Sequence, residues 1–149
     1  MISLVTAGGI TAREMLKLRE GTRKKVMAWL AACHAAGLPP LFIYEAHRTP
    51  ERQAELYAQG RTKKGVKVTN AGPWQSMHQY RLAIDFVPLK AHAKAPGMYE
   101  ADWDNAKIYA QAQAIAKAHG LRALSWETPH LEDANFRDWR HAQETFGKK

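Results

Sequence analysis

The segment SMHQYRLAIDF, residues 76–86, places a single carboxylate inside an apolar run. Asp85 stands between Ile84 and Phe86. Aspartate is depleted in β-strands, and a buried carboxylate costs several kcal/mol or more unless it is paired or bound to a metal. The segment therefore predicts a partner for Asp85, which is either a cationic side chain or a metal ion.

The strand that contains Asp85 is predicted to span residues 81–89, because its side chains alternate between two faces. Upstream, the capping-box pattern TARE of Thr11 and Glu14 predicts the start of a first helix. Further helices are predicted over 22–37, 50–59 and 103–119, and the last two have Thr49 and Asp102 as N-caps. Strands are predicted over 41–46 and 121–126, and loops over 61–75 and 96–99. Trp103 is expected in the core. This order of segments predicts a single α+β domain over residues 1–149 with a small sheet.

Composition narrows the classes of function. Cys33 is the only cysteine, so neither an intramolecular disulfide nor a thiolate zinc cluster is possible, and any metal must be held by His, Asp or Glu. The net charge of +8 favours an anionic partner, such as nucleic acid, a membrane surface or the bacterial envelope. No segment approaches the ~20 apolar residues of a membrane span, and the first residues lack a secretory signal pattern, so we expect a chain that starts in the cytoplasm.

Four side chains carry the candidate chemistry: His78, Asp85, Glu127 and His130. Imidazole and carboxylate groups are good zinc ligands, and three of them with an open position are typical of a catalytic site. An ion pair of Asp85 with Arg81 or another cation would explain the carboxylate equally well, and the residues alone leave both explanations open. Walker-type and α/β-hydrolase chemistry are disfavoured, because the chain has no GxxxxGK[ST] and no GxSxG segment.

The segment from Ser76 to Asp85 resembles the SxHxxGxAxD motif of the D-alanyl-D-alanine carboxypeptidase and VanY-like peptidoglycan metallopeptidases, a group that includes phage L-alanyl-D-glutamate endopeptidases. The upstream segment EAHRTPERQAELYAQGRT and the downstream segment ETPHLE extend this resemblance in family order. One position departs from the motif, because Arg81 stands where the family has glycine. The resemblance implies a small antiparallel sheet flanked by helices, as in D-Ala-D-Ala peptidases and hedgehog-like proteins.

The resemblance also implies roles for individual residues. His78, Asp85 and His130 would bind Zn²⁺, and Glu127 would be the general base. Arg48 would contact the substrate carbonyl or a nearby carboxylate. Ser76 and Gln53 would contact the substrate or support the ligands.

We therefore expect an endolysin-like zinc peptidase that cleaves a stem-peptide bond of peptidoglycan. The bond that the resemblance favours is L-alanyl-D-glutamate. The enzyme would be a monomer without a separate cell-wall-binding domain, would have no nucleic-acid partner, and would stay in the host cytoplasm until lysis gives it access to the wall. A D-Ala-D-Ala carboxypeptidase of the same family would share every catalytic residue. A non-enzymatic basic module that binds nucleic acid would explain the charge but not the pattern of histidines and carboxylates.

Overall fold

A computed structural model describes residues 1–149 of the chain. It contains five α-helices, one 3-10 helix and six strands. In chain order these are β1 (Ile2–Ser3), α1 (Leu4–Leu16), α2 (Glu20–Ala35), β2 (Leu41–Glu45), α3 (Pro50–Ala58), the 3-10 helix (Met77–Tyr80), β3 (Ala83–Ala91), β4 (Met98–Ala101), α4 (Ala106–Ala118), β5 (Leu121–Leu124), β6 (Glu127–Asp133) and α5 (Trp139–Phe146). No helix is both long enough and apolar enough to cross a membrane.

The six strands form one open sheet in which every pairing is antiparallel. Strand β3 is its centre, because it pairs with β2, β4 and β6. Strand β5 pairs with β6, and β1 pairs with β4. This architecture confirms the predicted α+β fold with a small antiparallel sheet flanked by helices.

Strand β3 is buried on both faces, since every residue from 83 to 89 is buried. The larger core packs Trp29 of α2 edge-on against Phe86 of β3, and Phe86 against Tyr109 of α4. The indole of Trp29 donates a hydrogen bond of 2.8 Å to the carbonyl of Ala112. Cys33 belongs to this core, and burial raises the pKa of its thiol to about 11. Asp85 is thus carried by the most deeply buried strand of the protein.

The predicted start of the first helix is wrong. Helix α1 begins at Leu4, and Ser3 is its N-cap. The Thr11 hydroxyl instead accepts a hydrogen bond from the Ile43 amide at 3.1 Å, and the Glu14 carboxylate accepts one from the Ala46 amide at 3.0 Å. Both side chains therefore fasten α1 to β2 rather than capping a helix.

Helix α4 also begins later than predicted, at Ala106 instead of residue 103. Asn105 is the N-cap, and its own side-chain amide donates to the Asp102 carboxylate at 2.8 Å. Residues 98–101, expected in a loop, form β4 between β1 and β3. Trp103, expected in the core, is 52% exposed and packs edge-on against Tyr44.

The elements nearest the candidate site agree more closely with the sequence. Strand β2 and helix α3 are confirmed, with Thr49 accepting a hydrogen bond from the Arg52 amide and Pro50 in the first turn. Strand β3 begins at Ala83 rather than at Arg81, because Arg81 has a left-handed backbone with φ of 63°. This residue turns the chain from the 3-10 helix into β3.

Candidate metal centre

His78, Asp85 and His130 come together from three elements of the fold. His78 lies on the 3-10 helix, Asp85 on β3 and His130 on β6. Asp85 and His130 are direct cross-strand partners. Their candidate ligand atoms and one from His78 all lie within 4.8 Å of one another, and all three residues are buried. The structure therefore brings together the three residues expected to bind metal, while metal binding itself stays a prediction.

The ring of His78 is oriented by the backbone just after β2. Its Nδ1 lies 2.8 Å from the carbonyl oxygen of Ala46, which can only accept, so Nδ1 carries the proton and donates it. The Nε2 lone pair is left facing Asp85 Oδ1 at 3.2 Å. Ser76 supports this placement, because its hydroxyl accepts a hydrogen bond from the His78 amide and caps the 3-10 helix.

The ring of His130 is oriented by a carboxylate that the sequence analysis did not single out. Its Nε2 lies 2.8 Å from Glu132 Oε1 and donates to it. Its Nδ1 is buried without a hydrogen-bond partner, 3.4 Å from Asp85 Oδ1. A buried polar atom with no partner needs an explanation, and a metal ligand whose other ring nitrogen is held by a carboxylate supplies one.

These donors fit a zinc ion. Two imidazole nitrogens and one carboxylate, with the remaining position open, form the arrangement of a catalytic rather than a structural zinc site. Their electrostatics also favour positive charge at this point. Burial acts to raise the pKa of the Asp85 carboxyl, but His78 and His130 hold that pKa well below its usual range. Burial likewise acts to lower the pKa of His130, yet the carboxylates of Asp85 and Glu132 raise it to about 9.

Asp85 is also paired with a cationic side chain, and that cation is Arg48 rather than Arg81. The Arg48 Nη2 lies 3.1 Å from Asp85 Oδ2, on the carboxylate oxygen that the histidines do not face. The cationic partner is therefore observed on Oδ2, while Oδ1 faces the two histidines and its binding to a metal stays a prediction.

Arg48 has most of its hydrogen-bonding capacity engaged. Its guanidinium contacts Glu45 through Nε and Nη2, Gln53 through Nη1 at 3.0 Å, and Asp85. These four bonds leave one of the five N–H donors of an arginine free. Arg48 also lines the groove described below.

Gln53 is fully buried and contacts Arg48, not the metal cluster. Its carbonyl oxygen also accepts from Gln79, and its amide donates to the Ala71 carbonyl at 2.7 Å. Gln53 thus fixes the Arg48 guanidinium and ties α3 to the end of the loop over residues 61–75.

Glu127 stands at the first residue of β6, beside the cluster. Its Oε2 lies 3.9 Å from His130 Nδ1, and its side chain is 47% exposed. A carboxylate that is close to the cluster and open to solvent can exchange a proton with water, which is the placement a general base requires.

A groove with a cavity volume of about 840 Å³ runs past the cluster. Arg48, Gln53, Ser76, Glu127 and His130 line it, while His78 and Asp85 lie beneath its floor. Five of the seven residues singled out from the sequence therefore face one cavity. Sequence reasoning missed Glu132 and the Arg122 that pairs with it. The spacing of His130 and Glu132 was a usable signal, because residues two apart on a strand share a face.

Comparison with known proteins agrees with this geometry. The model of the VanY family, described as D-alanyl-D-alanine carboxypeptidase, matches residues 15–142. The chain belongs to the VanY family. The peptidoglycan L-alanyl-D-glutamate endopeptidase CwlK of Bacillus subtilis (strain 168) is 37% identical over 97 residues, which are 60% of this chain and 58% of CwlK. The alignment thus spans less than two thirds of that relative.

VanY-family membership confirms the resemblance drawn from the three sequence segments. The matched span contains the whole cluster together with Arg48, Gln53, Ser76 and Glu127. It also contains Arg81, whose left-handed backbone explains why glycine suits that place in the motif.

Proposed function

We propose that this VanY-family protein is a zinc-dependent peptidoglycan peptidase that hydrolyses a stem-peptide bond, most of all the L-alanyl-D-glutamate bond. The observation that carries the proposal is the unpartnered Nδ1 of His130, buried beside His78 Nε2 and Asp85 at the floor of an open groove. Family membership supports the proposed substrate class, and the similarity to CwlK supports the proposed bond.

His78 Nε2, His130 Nδ1 and an Asp85 oxygen would hold the metal. When bound there, Zn²⁺ would polarise the scissile carbonyl and make an attacking water more acidic. Glu127 would take the proton from that water and return it to the leaving amine. The free N–H donor of Arg48 would stabilise the negative charge that develops on the carbonyl oxygen.

A D-Ala-D-Ala carboxypeptidase is the second candidate, because the matching family model carries that description. It would use the same metal ligands, base and arginine. The two activities differ only in the bond that is cut, so the masses of the products distinguish them.

The setting we propose is that of an endolysin. The enzyme would act as a monomer of one catalytic domain, would accumulate in the cytoplasm of a phage-infected host, and would reach the wall once lysis opens the membrane. The net charge of +8 supports an encounter with an anionic envelope.

The test compares purified wild type with His130→Ala and Glu127→Gln. Metal content is measured by elemental analysis, and purified peptidoglycan is digested and its fragments are analysed by mass spectrometry. We expect about one zinc per chain in the wild type, loss of zinc and cleavage in His130→Ala, and retained zinc in Glu127→Gln with cleavage slowed roughly 10²- to 10⁴-fold. Full zinc in His130→Ala, or a normal rate in Glu127→Gln, would contradict the assigned roles.

A further inference from the structure

Three arginines line the groove, and two of them are ion-paired with carboxylates of the protein. Arg48 contacts Glu45, Gln53 and Asp85. Arg122 pairs with Glu132 and donates to the carbonyl oxygens of Phe136 and Arg137. The guanidinium of the third, Arg137, forms neither an ion pair nor a hydrogen bond within the protein.

The backbone of Arg137 is nevertheless held at both ends. Its carbonyl oxygen accepts from Arg122 Nη2 at 3.2 Å, and its amide donates to His141 Nδ1 at 3.1 Å. Because Arg122 also pairs with Glu132, which orients His130, the Arg137 backbone is linked to the candidate metal centre through three contacts. The exposed side chain of Arg137 therefore extends from a backbone that is held in place at the groove.

The carboxylates near Arg137 already have partners. Asp138 Oδ1 caps α5 by accepting from the amides of Arg140 and His141, and its Oδ2 faces Arg140 at 3.5 Å. Glu132 is shared between His130 and Arg122. The positive charge of Arg137 is therefore available to an anionic group that enters the groove.

We infer that Arg137 is a specificity-determining residue that binds the carboxylate of the substrate on the leaving-amine side of the scissile bond. The inference rests on the proposed function. In the L-alanyl-D-glutamate bond of a stem that continues through the γ-carboxyl group, the free α-carboxylate of glutamate is attached to the carbon that bears the scissile nitrogen. A terminal D-Ala-D-Ala bond has its carboxylate at the same place, and arginine can bind such a group through two parallel N–H bonds.

The experiment uses the zinc-loaded full chain and two synthetic stem peptides. One has the sequence L-Ala-γ-D-Glu-L-Lys with a free glutamate α-carboxylate, and the other carries an α-carboxamide at that position. Arg137→Gln is compared with wild type and with Arg13→Gln, an exposed arginine of α1 outside the groove that changes the net charge equally. Arg137→Lys tests whether charge without the two-pronged geometry is enough.

We expect Arg137→Gln to lower kcat/KM for the carboxylate peptide by about tenfold, mainly through KM, since a hydrogen bond between charged groups corresponds to a ratio of this order. Wild type and Arg137→Gln should cleave the carboxamide peptide equally well. On the carboxylate peptide, the kcat/KM of Arg137→Lys should lie between those of wild type and Arg137→Gln. Arg13→Gln should match the wild type on both peptides. An equal loss on both peptides, or no loss on either, while the wild type remains active would overturn the role of Arg137. A wild type that cleaves neither peptide nor purified peptidoglycan would overturn the proposed function, and the inference with it.

Discussion

The contact between His130 and Glu132 decides which nitrogen of that imidazole is free. The carboxylate accepts a hydrogen bond from Nε2, so Nδ1 is the nitrogen that faces Asp85 and His78. Arg122 pairs with the other oxygen of Glu132 and keeps that carboxylate charged inside the protein. A chain of three side chains, two of them buried, therefore prepares one ligand atom.

Replacing Glu132 should consequently weaken metal binding without touching a ligand. Glutamine can still accept the hydrogen bond but lacks the charge that strengthens it, so we expect Glu132→Gln to lower zinc affinity by about tenfold or more. The measurement is competition with a chromophoric chelator at fixed pH. Glu100→Gln serves as the control, because Glu100 lies on β4 and contacts only Lys90 and His92. Unchanged affinity in Glu132→Gln would show that this carboxylate has only a structural role.

At the scale of elements, the junction between the 3-10 helix and β3 positions His78 and Asp85. Arg81 closes the helix with φ of 63° and ψ of 37°, and its carbonyl oxygen accepts from the Arg19 amide at 3.1 Å. A residue with a Cβ pays roughly 1–2 kcal/mol to hold this left-handed conformation. Burial lowers the pKa of Arg19, and repulsion from the charge of Arg81 lowers it further.

We expect Arg81→Gly to raise the free energy of unfolding by about 1 kcal/mol, because glycine adopts the left-handed region without this strain. Unfolding in urea, with the midpoint and slope both fitted, measures the change. Arg81→Ala removes the same charge but keeps the Cβ, and it should gain clearly less. Equal stabilisation by alanine and glycine would assign the effect to charge repulsion instead of the backbone.

Elements set by local chemistry were predictable from the sequence, and elements set by distant contacts were not. Thr49 and Pro50 determine the start of α3 through local contacts, without help from distant residues. The TARE pattern failed because Thr11 and Glu14 bond to backbone amides of residues 43 and 46, about thirty positions away. Strand β4 was missed because its order comes from pairing with both β1 and β3.

In the candidate site, too, local patterns were predictable from the sequence and distant contacts were not. His78, Asp85, Glu127 and His130 stand in short segments whose spacing can be recognised in the sequence. The pairing of Arg48 with Asp85 joins positions 37 residues apart, and no local pattern favours Arg48 over Arg81 as the partner. Arg122 stands ten residues before Glu132 in the sequence, and the pairing of β5 with β6 places the two residues opposite each other.

For the whole molecule, the net charge of +8 favours an anionic partner. A nucleic-acid-binding module would account for this charge but gives no role to the buried cluster of histidines and Asp85. Exposed lysines stand on several faces, including Lys63, Lys64 and Lys67 in the loop after α3, and Lys94, Lys107 and Lys117 before and along α4. The positive charge is therefore distributed over separate segments of the chain rather than gathered in one.

We expect binding to purified cell-wall sacculi to weaken steeply as salt rises, because the screening length falls from about 30 Å at 0.01 M to about 3 Å at 1 M. Cosedimentation with the Glu127→Gln variant measures binding while the polymer stays intact. Two triple Lys→Gln variants of this protein, at positions 63, 64 and 67 or at 94, 107 and 117, each lower its net charge by three, from +9 to +6, because Glu127→Gln adds one to the +8 of the wild type. If charge acts at long range, both should weaken binding at low salt by a similar factor. Binding that persists at 1 M salt would instead place the affinity in the groove, where contacts to the stem peptide are shielded from ions.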